Sequence, residues 1–165
     1  MRLRHGLIAL FAAALIGVGA GSALAQPSAA GSAAGQVGGQ VLIILASDGE
    51  GPRDPRLANV PALRRPPFDS YRSMALLSSP RVQLTVGQAH ELELPNGRTL
   101  RLVLREVTAN GRYRVQVSIN RPGTQDYLPE MNVVTSPGDP FFVAGQSHRD
   151  GTLILGIRLG ERAAG

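Results

Sequence analysis

The chain has 165 residues, 17 basic and 12 acidic side chains, a formal charge of +5 and no cysteine. Its 43% hydrophobic and 18% charged residues exclude a wholly disordered protein, which would have too little apolar surface to bury, and its length fits one domain of roughly 100–200 residues. Without cysteine there is no disulfide, thiolate metal ligand or thiol nucleophile, so the fold must rest on its core.

From the amino terminus, Arg2 and Arg4 precede Leu7–Val18, an uncharged apolar run that passes into Ala23-Leu24-Ala25. A basic start, an apolar middle and small residues at the two positions read by a signal peptidase predict a secretory signal peptide over 1–25. The competing reading is a retained anchor, because the 19 residues Leu7–Ala25 carry no charge and a spanning helix needs roughly 17–25. Against an anchor, the second half of the run is Gly, Ala and Ser, too weakly apolar to hold in lipid. The expected location is periplasmic or secreted, with no stable membrane span after cleavage. Loss of Arg2 and Arg4 leaves 15 arginines against 12 acids, so the charge falls to +3. Residues 26–40 are rich in Gly, Ala, Ser and Gln and predict a flexible leader; Gly31, Gly35, Gly38 and Gly39 oppose a helix.

One folded domain is expected over 41–159, which is 119 residues, followed by a tail at 160–165. Val41–Leu45 is a continuous apolar run rich in β-branched residues, as in a strand covered on both faces. Five prolines between Asp48 and Phe68 forbid a long helix or a central strand, although Asp54-Pro55 can cap and start one short helical turn across Leu57 and Ala58. Tyr71–Leu77 and Arg81–Val86 are expected to be extended.

Two Asn-Gly sites then join three predicted strands, His90–Leu94, Arg98–Thr108 and Arg112–Asn120. At Leu94-Pro95-Asn96-Gly97 a type I turn with Gly97 as a left-handed bulge residue sets Leu92 opposite Leu100, Glu91 opposite Arg101 and Glu93 opposite Thr99, which keeps apolar with apolar. At Asn110-Gly111 a two-residue type I′ loop pairs Leu104 with Val117 and Leu102 with Ile119. Both registers give a core face of Leu100, Leu102, Leu104, Tyr113, Val115, Val117 and Ile119, with Glu91, Glu93, Arg101, Arg105, Arg114, Gln116 and Ser118 on a solvated face. Glu106 falls on the core face unless a bulge turns it outward. Beyond Tyr127-Leu128 and Met131–Thr135, a last hairpin is expected around His148–Gly151, its second strand Thr152–Leu159 covered on both sides. The pattern predicts a mainly β fold: an antiparallel β-sandwich or partly open β-barrel of about seven or eight short strands, with at most one short helical turn.

Chemistry-bearing residues are sparse. His90 and His148 are the imidazole bases left after signal removal. Ser147-His148-Arg149-Asp150 holds triad residue types, but neighbours in a tight turn point in different directions and do not form a relay. Asp48, Glu50 and Asp54 place three carboxylates in a glycine-containing loop, a calcium candidate that lacks the spacing of an EF-hand. Arg64, Arg65 and Phe68 form a local basic and apolar cluster suited to a partner, and Arg101, Arg105 and Arg114 are the basic groups of the exposed sheet face. Interleaved acids and few aromatics argue against nucleic acid, and no cofactor is implied.

Pro66-Pro67-Phe68-Asp69-Ser70-Tyr71, Leu94-Pro95-Asn96-Gly97-Arg98, Arg112–Asn120 and Pro140-Phe141-Phe142-Val143-Ala144-Gly145, behind a signal peptide, resemble a group of small exported proteins of Gram-negative bacteria. The resemblance implies an envelope location and brings no activity. The expectation is a non-enzymatic β-domain that binds a protein or envelope component; the alternative is a small hydrolase or carbohydrate-active protein using His90 or His148 with nearby acids.

Overall fold

The computed structural model describes residues 35–121, 123–124 and 129–160. The expected signal peptide, most of the leader, Tyr127-Leu128 and the tail from 161 lie outside the described residues. Nine strands are described: β1 (Gln36–Ser47), β2 (Ser73–Ser78), β3 (Arg81–Thr85), β4 (Ala89–Glu93), β5 (Thr99–Val107), β6 (Tyr113–Ile119), β7 (Met131–Thr135), β8 (Phe141–His148) and β9 (Gly151–Leu159). They form two antiparallel sheets, β2-β1-β9-β8 with β3 also on β1, and β4-β5-β6-β7. The architecture is a β-sandwich, not a closed barrel, with one or two strands more than expected.

β1 is the spine of the first sheet. Its second half pairs with β2 and its first half with β3, so β2 and β3 act as one long strand interrupted at Ser79-Pro80. On its other edge Gly39–Ala46 pairs with β9. The strand begins at Gln36, so Gln36–Gln40, which the composition assigns to the flexible leader, are structural. Glycine is required there by a close approach: a Cβ on Gly39 would lie 2.6 Å from the Arg158 carbonyl oxygen and 2.6 Å from Leu159 Cδ2.

Between the sheets lie Val41, Ile43, Leu153, Leu155 and Ile157 from one side and Leu100, Leu102, Leu104, Val115 and Val117 from the other, all at most 2% exposed. The opposite face of β1 and β9 is also apolar. Ile44, Ala46, Ile154 and Met74 bury against Leu57 and Leu63 from the proline-rich connection, making a second, smaller core. This explains why both central strands read as apolar runs without polar alternation.

The first turn is as expected: Gly97 has φ 76° and its N–H bonds the Leu94 carbonyl at 3.0 Å, setting Leu92 against Leu100 and Glu91 against Arg101. The second is not the two-residue loop. Among the described non-glycine residues only Arg149 has positive φ, so Asn110 lacks the conformation a type I′ turn needs. Instead Thr108 and Arg112 close the loop, with Gly111 at φ 76°, and the Thr108 hydroxyl accepts from the Arg112 N–H at 3.0 Å. A bulge at Arg105 then shifts the register again, so Leu104 faces Val115 and Leu102 faces Val117. The net displacement is two residues, which preserves the core face because side chains alternate with period two. The same bulge turns Glu106 outward, opposite Arg114 at 3.7 Å.

Gln116 and Ser118, expected on a solvated face, are 8% and 3% exposed. The Gln116 amide donates to Glu130, and Asn120 Nδ2 donates to the Thr124 carbonyl at 3.0 Å, both partners coming from the β6–β7 connection.

Candidate functional site

Residues 48–72 leave the sheet and return to it as a cap over its outer face. Three 3₁₀ turns shape it, Pro55–Leu57, Pro61–Arg64 and Phe68–Ser70, where one short turn was expected. Asp54 caps the first as anticipated, accepting from the Arg56 N–H at 2.9 Å, and Pro55 supplies the preset φ of its first residue. The sequence gives no hint of what joins the turns. Arg53 does so: its guanidinium donates to the carbonyls of Leu63, Asp69 and Tyr71 at 3.2, 3.3 and 2.5 Å, so one side chain closes backbone groups from two turns and the strand entry. Its acceptors are carbonyls 10, 16 and 18 positions away, which no local motif could announce.

Asp54 also bonds the Arg56 guanidinium at 2.6 Å and the Leu76 N–H at 3.3 Å, tying the cap to β2. The Arg56 side chain, then the Arg56 and Leu76 amides, hold its carboxyl well below the ordinary carboxylate range. A folded carboxyl that stays ionised while the unfolded one protonates near its usual value of about 3.9 contributes stability in full above that pH and loses it as the pH falls toward the folded value. Asp54→Asn keeps a competent cap but removes the charge. The melting-temperature gap between wild type and Asp54→Asn should therefore be constant from about pH 5 to 8 and narrow below about pH 4. A gap of equal size at pH 3 and pH 7 would remove the ion pair from the account of the cap.

The structure separates the residues singled out from sequence. Asp54 is committed to the cap, and among the described residues no group of three His, Cys, Asp or Glu side chains could hold a metal ion, so the calcium candidate Asp48, Glu50 and Asp54 is not assembled. Arg64 donates to the Ala58 carbonyl at 2.7 Å, Arg65 is exposed, and Phe68 packs on Phe142 with ring centroids 5.4 Å apart. Phe68, half-buried, thus packs against the second core. Arg101, Arg105 and Arg114 lie on the other sheet: Arg101 is half-buried, Arg105 is at the bulge, and Arg114 faces Glu106. His90 is half-buried on the β4 edge opposite Leu102, and His148 closes the β8–β9 turn opposite Gly151.

The cap covers only half of the sheet. Over the other half, where Leu42 lies beside Gly156 and Gln40 beside Arg158, an open groove of about 810 Å³ remains, walled by Asn59, Val60 and Pro61 of the cap. Neither histidine lines it.

The sheet edges differ. β4 carries Glu91 and Glu93, β8 is bulged at Gly145, and β2 is covered by the cap, with backbone bonds from Asp54 N–H to the Met74 carbonyl and from Met74 N–H to the Pro52 carbonyl. β7, Met131-Asn132-Val133-Val134-Thr135, has no charge, proline or bulge; Met131 is 42% and Val134 45% exposed. No protein-family model, curated protein or solved structure matches the chain. Among the described residues no helix is long and apolar enough to cross a membrane.

Proposed function

We propose that this protein is an exported, non-enzymatic binding or assembly module of the cell envelope, which adds an extended segment of a protein partner to the edge of its second sheet along β7. The reading is carried by that edge. An unpaired strand presents a row of N–H and C=O groups, and proteins protect such edges with charges, prolines, bulges or covering segments. Among the described residues the other edge strands β2, β3, β4 and β8 each carry such a device (the cap, Arg81, Glu91 with Glu93, and the bulge) and β7 carries none, as a strand kept for pairing should. The signal-like amino terminus and the resemblance to small exported proteins of Gram-negative bacteria support the envelope location.

The test is capture from a solubilised envelope fraction on immobilised protein, wild type against Val134→Lys. Val134 is exposed, so lysine there blunts the edge without disturbing the core. A specific partner retained by wild type and lost with Val134→Lys is the expected result. Equal retention by both would move binding away from β7. No retained partner, together with turnover of a small substrate abolished by His148→Ala, would replace the reading with an enzymatic one.

A further inference from the structure

The half of the first sheet left open by the cap carries an inference independent of β7 and beyond the proposed partner. Gly156 and Leu42 are cross-strand neighbours, and together with Leu76 and Val60 they give the groove an apolar surface. Glycine keeps its floor low, and the Phe142 ring occupies the space beside it: a Cβ on Gly156 would lie 2.9 Å from Phe142 Cε1. Among the described residues two cations line the groove and no carboxylate does. They are not equivalent. Arg56 is matched by Asp54 at 2.6 Å and also bonds the Leu76 carbonyl. Among the described residues the partner of Arg158 is neutral, the Gln40 Oε1 at 3.2 Å, while the Gln40 amide donates to the Ser79 carbonyl at 3.4 Å. That chain of amides steadies the guanidinium at the end of the apolar strip without neutralising it.

We propose that this groove binds an apolar monocarboxylate of the fatty-acid class, its head group on Arg158 and its hydrocarbon body along Leu42, Gly156 and Leu76. A planar guanidinium suits a carboxylate through two parallel hydrogen bonds. One unmatched positive charge fits a singly charged head better than a doubly charged phosphate. The volume of about 810 Å³ is within the range of small-molecule sites, roughly 300–1,000 Å³.

Titration calorimetry of the purified protein with octanoate, decanoate, decanol and decyltrimethylammonium, below their micellar concentrations, tests this. Each methylene buried is worth up to about a fourfold gain in affinity, so decanoate should bind roughly tenfold more tightly than octanoate. Arg158 is exposed, so Arg158→Gln should leave the melting temperature unchanged while weakening decanoate at least about fivefold, with decanol unaffected. Asn59→Trp, on the exposed wall, should block decanoate and decanol alike without touching the sheet. Equal decanoate affinity in wild type and Arg158→Gln, equal binding of decyltrimethylammonium and decanoate, or no binding of decanoate overturns the proposal. Partner capture that depends on Val134 is untouched by any of these outcomes, so the two readings fail separately.

Discussion

Gly39→Ala should destabilise the domain by about 1–3 kcal/mol, whereas Gly38→Ala beside it should be neutral or slightly stabilising. Both residues lie in the segment whose composition reads as a flexible leader, and neither has the positive φ that would by itself demand glycine. They differ in what an added methyl group meets. At Gly38 the nearest atom is Gln83 Oε1 at 3.4 Å, the movable end of a side chain. At Gly39 it is the Arg158 carbonyl oxygen at 2.6 Å, a backbone atom in the strand paired with it, together with Leu159. Relief of that clash must part β1 from β9. Urea denaturation of both variants checks the contrast, and two silent substitutions would return Gln36–Gln40 to the status of a tether.

Leu155→Ala is expected to lower the melting temperature by roughly 8–20 °C, corresponding to about 2–5 kcal/mol. Leu155 is fully buried at the centre of β9, between Ile43 and Val143 of the neighbouring strands, and faces the second sheet. Truncation removes its transfer energy and leaves a cavity that rigid strands on either side cannot close. Leu77→Ala is the matched control. Leu77 is 36% exposed on β2, and its loss should fall within about 0.5 kcal/mol. Calorimetric melting of the two variants separates a packed sandwich from a loosely collapsed one, in which their costs would converge.

The parts of the fold legible in the sequence are those fixed by neighbours in the chain. The pairing of Leu92 with Leu100 followed from Pro95 and Gly97, because a proline-preset turn and a left-handed glycine leave one register that keeps the faces apart. The double coverage of Val41–Leu45 and Thr152–Leu159 followed from their unbroken apolar character. At Asn110-Gly111 the dipeptide pointed to the wrong loop because Thr108, two residues earlier, supplies a hydroxyl that closes a longer one. Its five residues, Thr-Ala-Asn-Gly-Arg, end on the same Asn-Gly-Arg as the first turn and adopt the same bulged form. What stayed hidden is tertiary. The cap depends on Arg53 reaching distant carbonyls, and the groove exists because the cap is shorter than the sheet beneath it. Arg158, the residue on which the groove's ligand chemistry turns, was one more alternating position in a strand.

The partnership of β1 with β9 sets when this protein can exist. Gly39 meets Leu159, a separation of 159 − 39 = 120 positions, and every other β1–β9 pair is also more than 100 residues apart in sequence. Contacts of such long range form slowly, since most of the chain must be ordered before they repay the closure of the loop. A nascent chain therefore leaves the ribosome with one edge of its spine strand, the edge that β9 will take, still open. Until the last of β9 has been synthesised, Val41–Leu45 is an uncharged, β-branched segment of the sort that pairs with other chains. A carboxy-terminal truncation that removes β9 would leave that edge of the segment open indefinitely.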